Sequence, residues 1–266
     1  MRVRQICFLN LTIALLVMVV GCENKFNPVQ DDFNEKELSG VNVLRSGILW
    51  DYPLRPGMEE WKLLETEQER IDALQVPEDI LSKLSSDDIV RLCITFPSFG
   101  HFTAFNTPQD GFSIMLSRYN IFGYLLSQKD IGKSLIEAYK DADLSGFKKF
   151  PYSNEFWPIK LYYIELLLAQ KEILQILSLE EKLELVSEAK TKFSKKIDNE
   201  VFSSLPGIYF SIRIIANILE VEEYPEFLAS SKRDATTQLI QTGWCFNDVP
   251  PIEEIIKIAD NYINRK

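Results

Sequence analysis

The stretch from residue 205 to residue 220 is apolar on nearly every side when it is drawn as a helix. Its one polar stripe consists of Arg213, Asn217 and Glu220, which share a face at helical spacing. A helix that is hydrophobic all round has to be buried, so other elements must surround it. The sequence therefore predicts a domain that is built around a central helix at 205–220.

The segments around this helix carry helix-start signals. Capping boxes, in which Ser or Thr precedes an acidic residue by three positions, occur at Thr66, Ser85 and Ser178. Further starts are indicated at Pro77, Thr107-Pro108, Asp130 and Pro250-Pro251. The very apolar segment Asn154–Leu177 predicts one or two buried helices. Strand alternation is scarce, and only Val41–Trp50 is compatible with one short strand.

These signals predict an all-α fold over residues 46–266, as a single multi-helical domain. The helices are short and serial, and no heptad or fixed-period repeat connects them. Two arrangements fit this pattern, a compact helical array and an irregular superhelix.

The N-terminus has the pattern of an export signal. Arg2 and Arg4 precede the apolar stretch Ile6–Val20, which is too short for a good transmembrane helix. The stretch ends in Val19-Val20-Gly21-Cys22, which resembles the bacterial lipobox, whose cysteine becomes the acylated first residue of the mature protein. We predict a lipoprotein signal peptide at 1–21 and lipidation of Cys22. A non-lipidated signal and an uncleaved anchor are the alternatives.

Residues 22–45 are polar and predict a flexible tether. Within it, Asp31 and Asp32 resemble acidic surface-export signals, and a solvated linker is the alternative. We therefore predict an exported protein that is lipid-anchored at the cell membrane or the outer membrane, with surface exposure as an option.

Composition excludes several functional classes. Loss of residues 1–21 leaves 27 basic and 39 acidic residues, a net charge of −12, which argues against nucleic-acid binding and against attraction to anionic lipid headgroups. The single histidine excludes multi-histidine zinc sites, and no pair of glycines has the G-x-G spacing of a dinucleotide site. We predict no cofactor.

One short segment partly matches a calcium loop. Asp141, Asp143 and Ser145, followed by Gly146, have the spacing of the first oxygen ligands of an EF-hand. The twelfth position should be a bidentate Glu, but it is Tyr152. An acidic helix end that turns at Gly146 is the interpretation we favour, and we predict no metal site.

An aromatic-rich segment offers contacts for a glycan or a protein partner. Tyr152, Trp157 and Tyr162 are its candidate contact residues, and burial in the core is the alternative that the helical spacing favours. The lone His101 lies between aromatic residues and is predicted to be packed. Four lysines at the end of a predicted helix indicate a solvated helix end: Lys190, Lys192, Lys195 and Lys196.

Two further sets of residues leave alternatives open. Cys93 and Cys245 are the only cysteines that can pair once Cys7 is removed and Cys22 is lipidated, and two buried free thiols are the alternative to a disulfide. Carboxylates for a hydrolase can be named at Glu59/Glu60, Asp87/Asp88 and Glu155. Neighbouring helical residues diverge by about 100°, however, so such pairs do not face one site.

Residues 57–140 resemble an uncharacterised family of Bacteroidetes exported lipoproteins. The resemblance rests on these segments: Glu59-Glu60-Trp61, Val76 to Leu81, Ser85 to Pro97, Ala104-Phe105-Asn106, Gln109-Asp110-Gly111 and Gln128-Lys129-Asp130. Arg118-Tyr119-Asn120 and Gln128 depart from the family pattern. The resemblance implies export, lipidation and a helical fold, and it supplies no catalytic residues.

The sequence thus favours a cell-envelope lipoprotein with a non-enzymatic helical domain, one that binds an unidentified protein or glycan or presents a surface. Two alternatives stay open. One is an envelope hydrolase that acts on glycan or peptide through carboxylates, and the other is a glycan-binding module that uses the aromatic residues.

Overall fold

A computed structural model describes residues 50–142, 144, 157–199, 202, 206–243 and 251–265. All regular secondary structure in these ranges is helical, and the chain folds as a single all-α domain, as predicted. The predicted signal peptide at 1–21 and the tether at 22–45 lie outside the described residues, as does nearly all of the candidate strand at 41–50. Within the described ranges no helix combines the length and the apolar character that a bilayer crossing requires.

The N-terminal part of the domain contains α1 (Glu59–Lys62), α2 (Glu67–Asp72), α3 (Glu78–Leu81), α4 (Ser86–Ile94), a 3-10 helix (Phe99–Ala104), α5 (Pro108–Arg118), α6 (Asn120–Ser127) and α7 (Gly132–Asp141). The C-terminal part contains α8 (Trp157–Leu168), α9 (Lys171–Ile176), α10 (Leu179–Ile197), a 3-10 helix (Pro206–Tyr209), α11 (Phe210–Val221), α12 (Pro225–Leu228), α13 (Arg233–Thr242) and α14 (Ile252–Ile263).

The central helix that the sequence predicts is α11. Every residue from Phe210 to Leu219 is buried, because α8, α9, α10, α13 and α14 all pack against it. Two members of its polar stripe, Arg213 and Asn217, are buried with it, and only Glu220 reaches the surface, where it pairs with Arg233. The prediction of a central helix is confirmed, and two of the three residues of its polar stripe lie inside the domain.

Local capping fixes where several helices begin. All three predicted capping boxes form, at Thr66, Ser85 and Ser178. The prediction that Asp130 caps α7 is wrong, because that helix begins at Gly132 and has no side-chain cap. Close packing requires a glycine at this start, since a Cβ at Gly132 would lie 2.4 Å from Leu177 Cδ2.

The Asn154–Leu177 segment divides into two helices, within its described part. α8 ends at Leu168 and α9 starts at Lys171, so Ala169 and Gln170 form a break between them. Asn217 Nδ2 on α11 donates a hydrogen bond of 2.8 Å to the Ala169 carbonyl at this break. The central helix therefore satisfies a carbonyl group at the end of its neighbour.

Replacing Ser178 with alanine is expected to lower the free energy of unfolding by about 1 kcal/mol, because it removes a cap of the longest described helix. Ser178 Oγ accepts a hydrogen bond of 3.3 Å from the Glu181 amide, and Glu181 Oε2 accepts one of 2.8 Å from the Ser178 amide. Urea denaturation measures the change. Ser187→Ala, at an exposed position inside the same helix, is the control, and it should be neutral or slightly stabilising. Equal losses in both variants would contradict this role of Ser178.

Candidate functional site

The predicted aromatic contact residues do not form an exposed platform in the described structure. Tyr162 is only 4% exposed and packs edge-on against Phe202 and Phe210. The core encloses the Tyr162 ring, as the alternative that the helical spacing favours predicts, so Tyr162 is not available as a contact for a glycan or partner. Tyr152 lies outside the described residues. Trp157 is the first residue of α8, and only its backbone is described.

The candidate calcium ligands are only partly described. Asp141 is the last residue of α7 and is exposed, whereas Asp143 and Ser145 lie outside the described residues. In the described ranges, no group of three or more His, Cys, Asp or Glu residues is arranged to hold a metal ion.

The single histidine is exposed, so the prediction that it is packed is wrong. His101 lies in the 3-10 helix after α4, and partial desolvation together with the charge of Arg118 lowers its pKa. Arg118 forms an ion pair with Glu67, and the two line an open depression of about 550 Å³ with Gln68 and Ile71. Because the two charges neutralise each other, the depression has no net charge with which to select a ligand.

Those candidate hydrolytic carboxylates that the structure describes lie in the first turns of helices. Glu59 and Glu60 are exposed in the first turn of α1. Asp88 is 3% exposed and belongs to the capping box of α4, while Asp87 accepts a hydrogen bond of 2.6 Å from Ser134. Glu155 lies outside the described residues. These positions are those that the helix dipole favours for acids.

Four buried polar side chains meet where α7, α8, α10 and α11 come together. We call Tyr139, Glu165, Lys196 and Ser211 the core ionic cluster. Tyr139 donates a hydrogen bond of 2.7 Å to Glu165 Oε1, and Ser211 donates one of 2.5 Å to the same oxygen. Lys196 Nζ forms an ion pair with Glu165 Oε2 and donates a hydrogen bond of 3.0 Å to Ser211 Oγ. All four side chains are fully buried.

The core ionic cluster overturns the prediction of a solvated lysine end on α10. Lys195 is exposed, but Lys196 is 0% exposed and Lys192 is 3% exposed. Burial lowers the pKa of both buried lysines. Lys192 donates a hydrogen bond of 2.8 Å to the Ala142 carbonyl, and its Nζ lies 4.8 Å from the centre of the Tyr139 ring. The lysine run therefore alternates between solvent and core instead of forming one charged surface.

The Ser211–Lys196 contact has the spacing of a nucleophile and its general base. Both side chains are enclosed, however, and Lys196 is paired with Glu165, so the described structure offers a substrate no access to Ser211. The arrangement instead ties four helices together through one carboxylate. One signal for it was present in the sequence: Glu165 is the only acidic residue in the apolar helix α8, and a buried acid requires a partner.

A second group of polar side chains, of which all but the half-buried Gln109 are buried, lies along the polar stripe of α11. We call Gln109, Gln170, Arg213 and Asn217 the polar seam. Gln109 Nε2 donates to Gln170 Oε1 over 3.0 Å, and Arg213 Nη2 donates to Gln109 Oε1. Arg213 Nε and Nη2 also donate to the Ile240 carbonyl in the last turn of α13, over 3.2 and 3.0 Å.

The polar seam contains a charge without a counter-charge. Arg213 is 2% exposed and forms no ion pair with any acid in the described part of the chain. Its Nη1 and the Oδ1 of Asn217 are buried atoms that lack a hydrogen-bond partner. Burial lowers the pKa of the Arg213 guanidinium to about 10. Such unsatisfied buried atoms are rare in proteins, and each requires an explanation.

The sulfur chemistry of the domain is only partly described. Cys93 has a free thiol that is fully buried, 3.9 Å from the Ile121 carbonyl, and burial raises its pKa well above the usual value. Cys245 lies outside the described residues. Cys93 therefore behaves as a small apolar residue in the core.

Comparisons of the chain with known protein families, with curated proteins and with solved structures found no match.

Proposed function

We propose that this chain is an exported lipoprotein of the cell envelope, which is held at a bilayer through Cys22 and carries a helical binding domain outside the cytosol. The proposal rests on the N-terminal pattern. Arg2 and Arg4 precede the apolar stretch Ile6–Val20, and Gly21-Cys22 follows it. The resemblance of residues 57–140 to exported lipoproteins supports the same destination. An acylated N-terminal cysteine would carry more than the two lipid signals that stable anchoring requires.

The proposed anchor and the folded domain are separate in the chain. Trp50 already belongs to the domain, because its carbonyl accepts a hydrogen bond of 2.8 Å from Arg91, and Tyr52 is buried against Phe96. A flexible tether over residues 22–45 would span about 25–30 Å on average. The domain is then free to rotate above the bilayer, as a binding module for a soluble ligand or partner requires.

The binding half of the proposal rests on how the buried polar groups are used. The core ionic cluster satisfies its own charges, because Lys196 pairs with Glu165. The polar seam leaves a cationic donor, Arg213 Nη1, without a partner. Among the buried side-chain atoms of the described residues that lack a hydrogen-bond partner, Arg213 Nη1 is the one that belongs to a charged group, and this favours binding over catalysis.

Metabolic labelling with palmitate tests the anchor directly. Cells that express the wild-type chain should incorporate label into the protein, and Cys22→Ala should abolish incorporation because the acylated thiol is lost. Cys7→Ser is the matched control, since this cysteine lies inside the predicted signal and should not affect the label. Equal labelling of the wild type and Cys22→Ala would refute the proposed anchor.

A further inference from the structure

We propose that the polar seam binds a small carboxylic acid that also carries a hydroxyl or amine donor, with the carboxylate at Arg213 Nη1 and the donor at Asn217 Oδ1. The inference deepens the proposed function, on which it rests, by naming the class of ligand that the binding domain takes. It depends on the two unpartnered atoms and on their surroundings.

The first step concerns the charge of the site. Two of the three guanidinium nitrogens of Arg213, Nε and Nη2, donate hydrogen bonds to Ile240 and Gln109. Both acceptors are neutral oxygens. The third nitrogen, Nη1, has no acceptor. A buried cation without an anion is unfavourable, and a guanidinium matches the geometry of a carboxylate. One positive charge is neutralised by a monoanion, whereas a phosphate dianion would leave a buried negative charge.

The second step concerns where Nη1 lies. A Cβ added to Gly243 would lie 3.4 Å from Arg213 Nη1 and 3.4 Å from Pro108 Cβ. Nη1 is therefore close to both the C-terminal end of α13, which Gly243 caps, and the first residue of α5. The charge that an anion meets here is that of the guanidinium, because Pro108 has no amide hydrogen and Thr107 already caps the Asp110 amide.

The third step concerns the donor on the ligand. Asn217 follows Arg213 by one helical turn on the same face of α11. Its Nδ2 is used by the Ala169 carbonyl, which leaves Oδ1 as an acceptor without a donor. A molecule with a carboxylate and a neighbouring hydroxyl or amine offers an acceptor to Nη1 and a donor to Oδ1. A simple anion satisfies only Arg213.

The fourth step concerns access. Arg213 and Asn217 are each 2% exposed, so a ligand enters only when a covering element moves. The last turn of α13 is that element, because its Ile240 carbonyl accepts two hydrogen bonds from Arg213 and its end lies at Gly243, beside Nη1. Helix ends open at lower free energy than helix centres, so this turn can move without unfolding the domain.

Thermal unfolding of the purified full-length mature protein in neutral detergent tests the proposal. The probes are sodium glycolate, sodium acetate, sodium chloride and ethylene glycol, with the ionic strength of the salts matched. Saturating glycolate is expected to raise Tm by about 2–4 °C, acetate by less, and chloride and ethylene glycol by nothing measurable. Equal shifts from glycolate and chloride would overturn the assignment of a carboxylate ligand, and no shift from glycolate would overturn the site.

Two variants separate the polar seam from general salt effects. Gln109→Glu places a carboxylate beside Arg213 Nη2 and supplies an internal counter-charge, so it should abolish the glycolate shift. Gln68→Glu makes the same change at an exposed position on α2 and should keep the full shift. An equal glycolate shift in both variants would overturn the location.

A third variant keeps the test decisive if Gln109→Glu fails to fold, as judged by circular dichroism. Asn217→Leu removes the unpartnered Oδ1, so glycolate should then shift Tm no more than acetate does. A persisting advantage of glycolate would exclude Asn217 as the acceptor. These titrations need only the folded domain, so a failure of palmitate labelling would refute the anchor and leave the ligand site to be judged on its own results.

Discussion

Replacing Lys196 with methionine is expected to lower the free energy of unfolding by about 3–5 kcal/mol, the largest effect that we predict for one side chain. The substitution leaves the Glu165 carboxylate fully buried without its cation, and it removes a donor to Ser211. A buried charge without a partner costs free energy, because the core offers it neither water nor a counter-ion. Urea denaturation at neutral pH measures the loss.

The neighbouring lysine provides the matched control. Lys195 is exposed on the same helical turn, so Lys195→Met should change the free energy of unfolding by no more than about 0.5 kcal/mol. Adding Glu165→Gln to Lys196→Met should recover part of the loss, because the unpaired charge is then removed. Similar losses for Lys195→Met and Lys196→Met, or a double variant less stable than Lys196→Met, would contradict the paired cluster.

Replacing Gly111 with alanine is expected to destabilise the domain by about 1–3 kcal/mol. An added Cβ would lie 2.5 Å from the Phe102 carbonyl oxygen and 2.7 Å from Phe102 Cα, so backbone atoms would have to move. Phe102 cannot shift freely, because its ring stacks on the buried Tyr163. The 3-10 helix and α5 therefore approach each other more closely than any side chain at this position permits. The shift in the urea midpoint measures this loss.

A second glycine shows whether the effect comes from this close approach or from glycine itself. Gly123 lies inside α6, is exposed, and has no heavy atom within 4 Å of an added Cβ. Gly123→Ala should therefore stabilise the domain by about 0.5–1 kcal/mol, because alanine has the higher helix propensity. A loss of stability in Gly123→Ala as large as that in Gly111→Ala would rule out the steric explanation.

The sequence determined the helical character of the domain because that character depends on short-range chemistry. Thr66, Ser85 and Ser178 form their capping boxes as predicted, since each box involves residues only three positions apart. The apolar run at 205–220 likewise required burial whatever its neighbours were, and α11 is the central helix. The start of α7 was predicted wrongly, because the helix begins at Gly132 without a side-chain cap, at a place where Leu177 packs too closely for any side chain.

The tertiary structure alone decided which polar residues are buried together. The partners in the core ionic cluster and the polar seam are separated in sequence by 31 positions for Glu165 and Lys196 and by 104 for Gln109 and Arg213. Lys195 and Lys196 look alike in the sequence, but one is in solvent and the other in the core. Periodicity shows which residues share one face of a helix. Whether that face is buried, and which charged side chains it contacts, depends on how the helices pack.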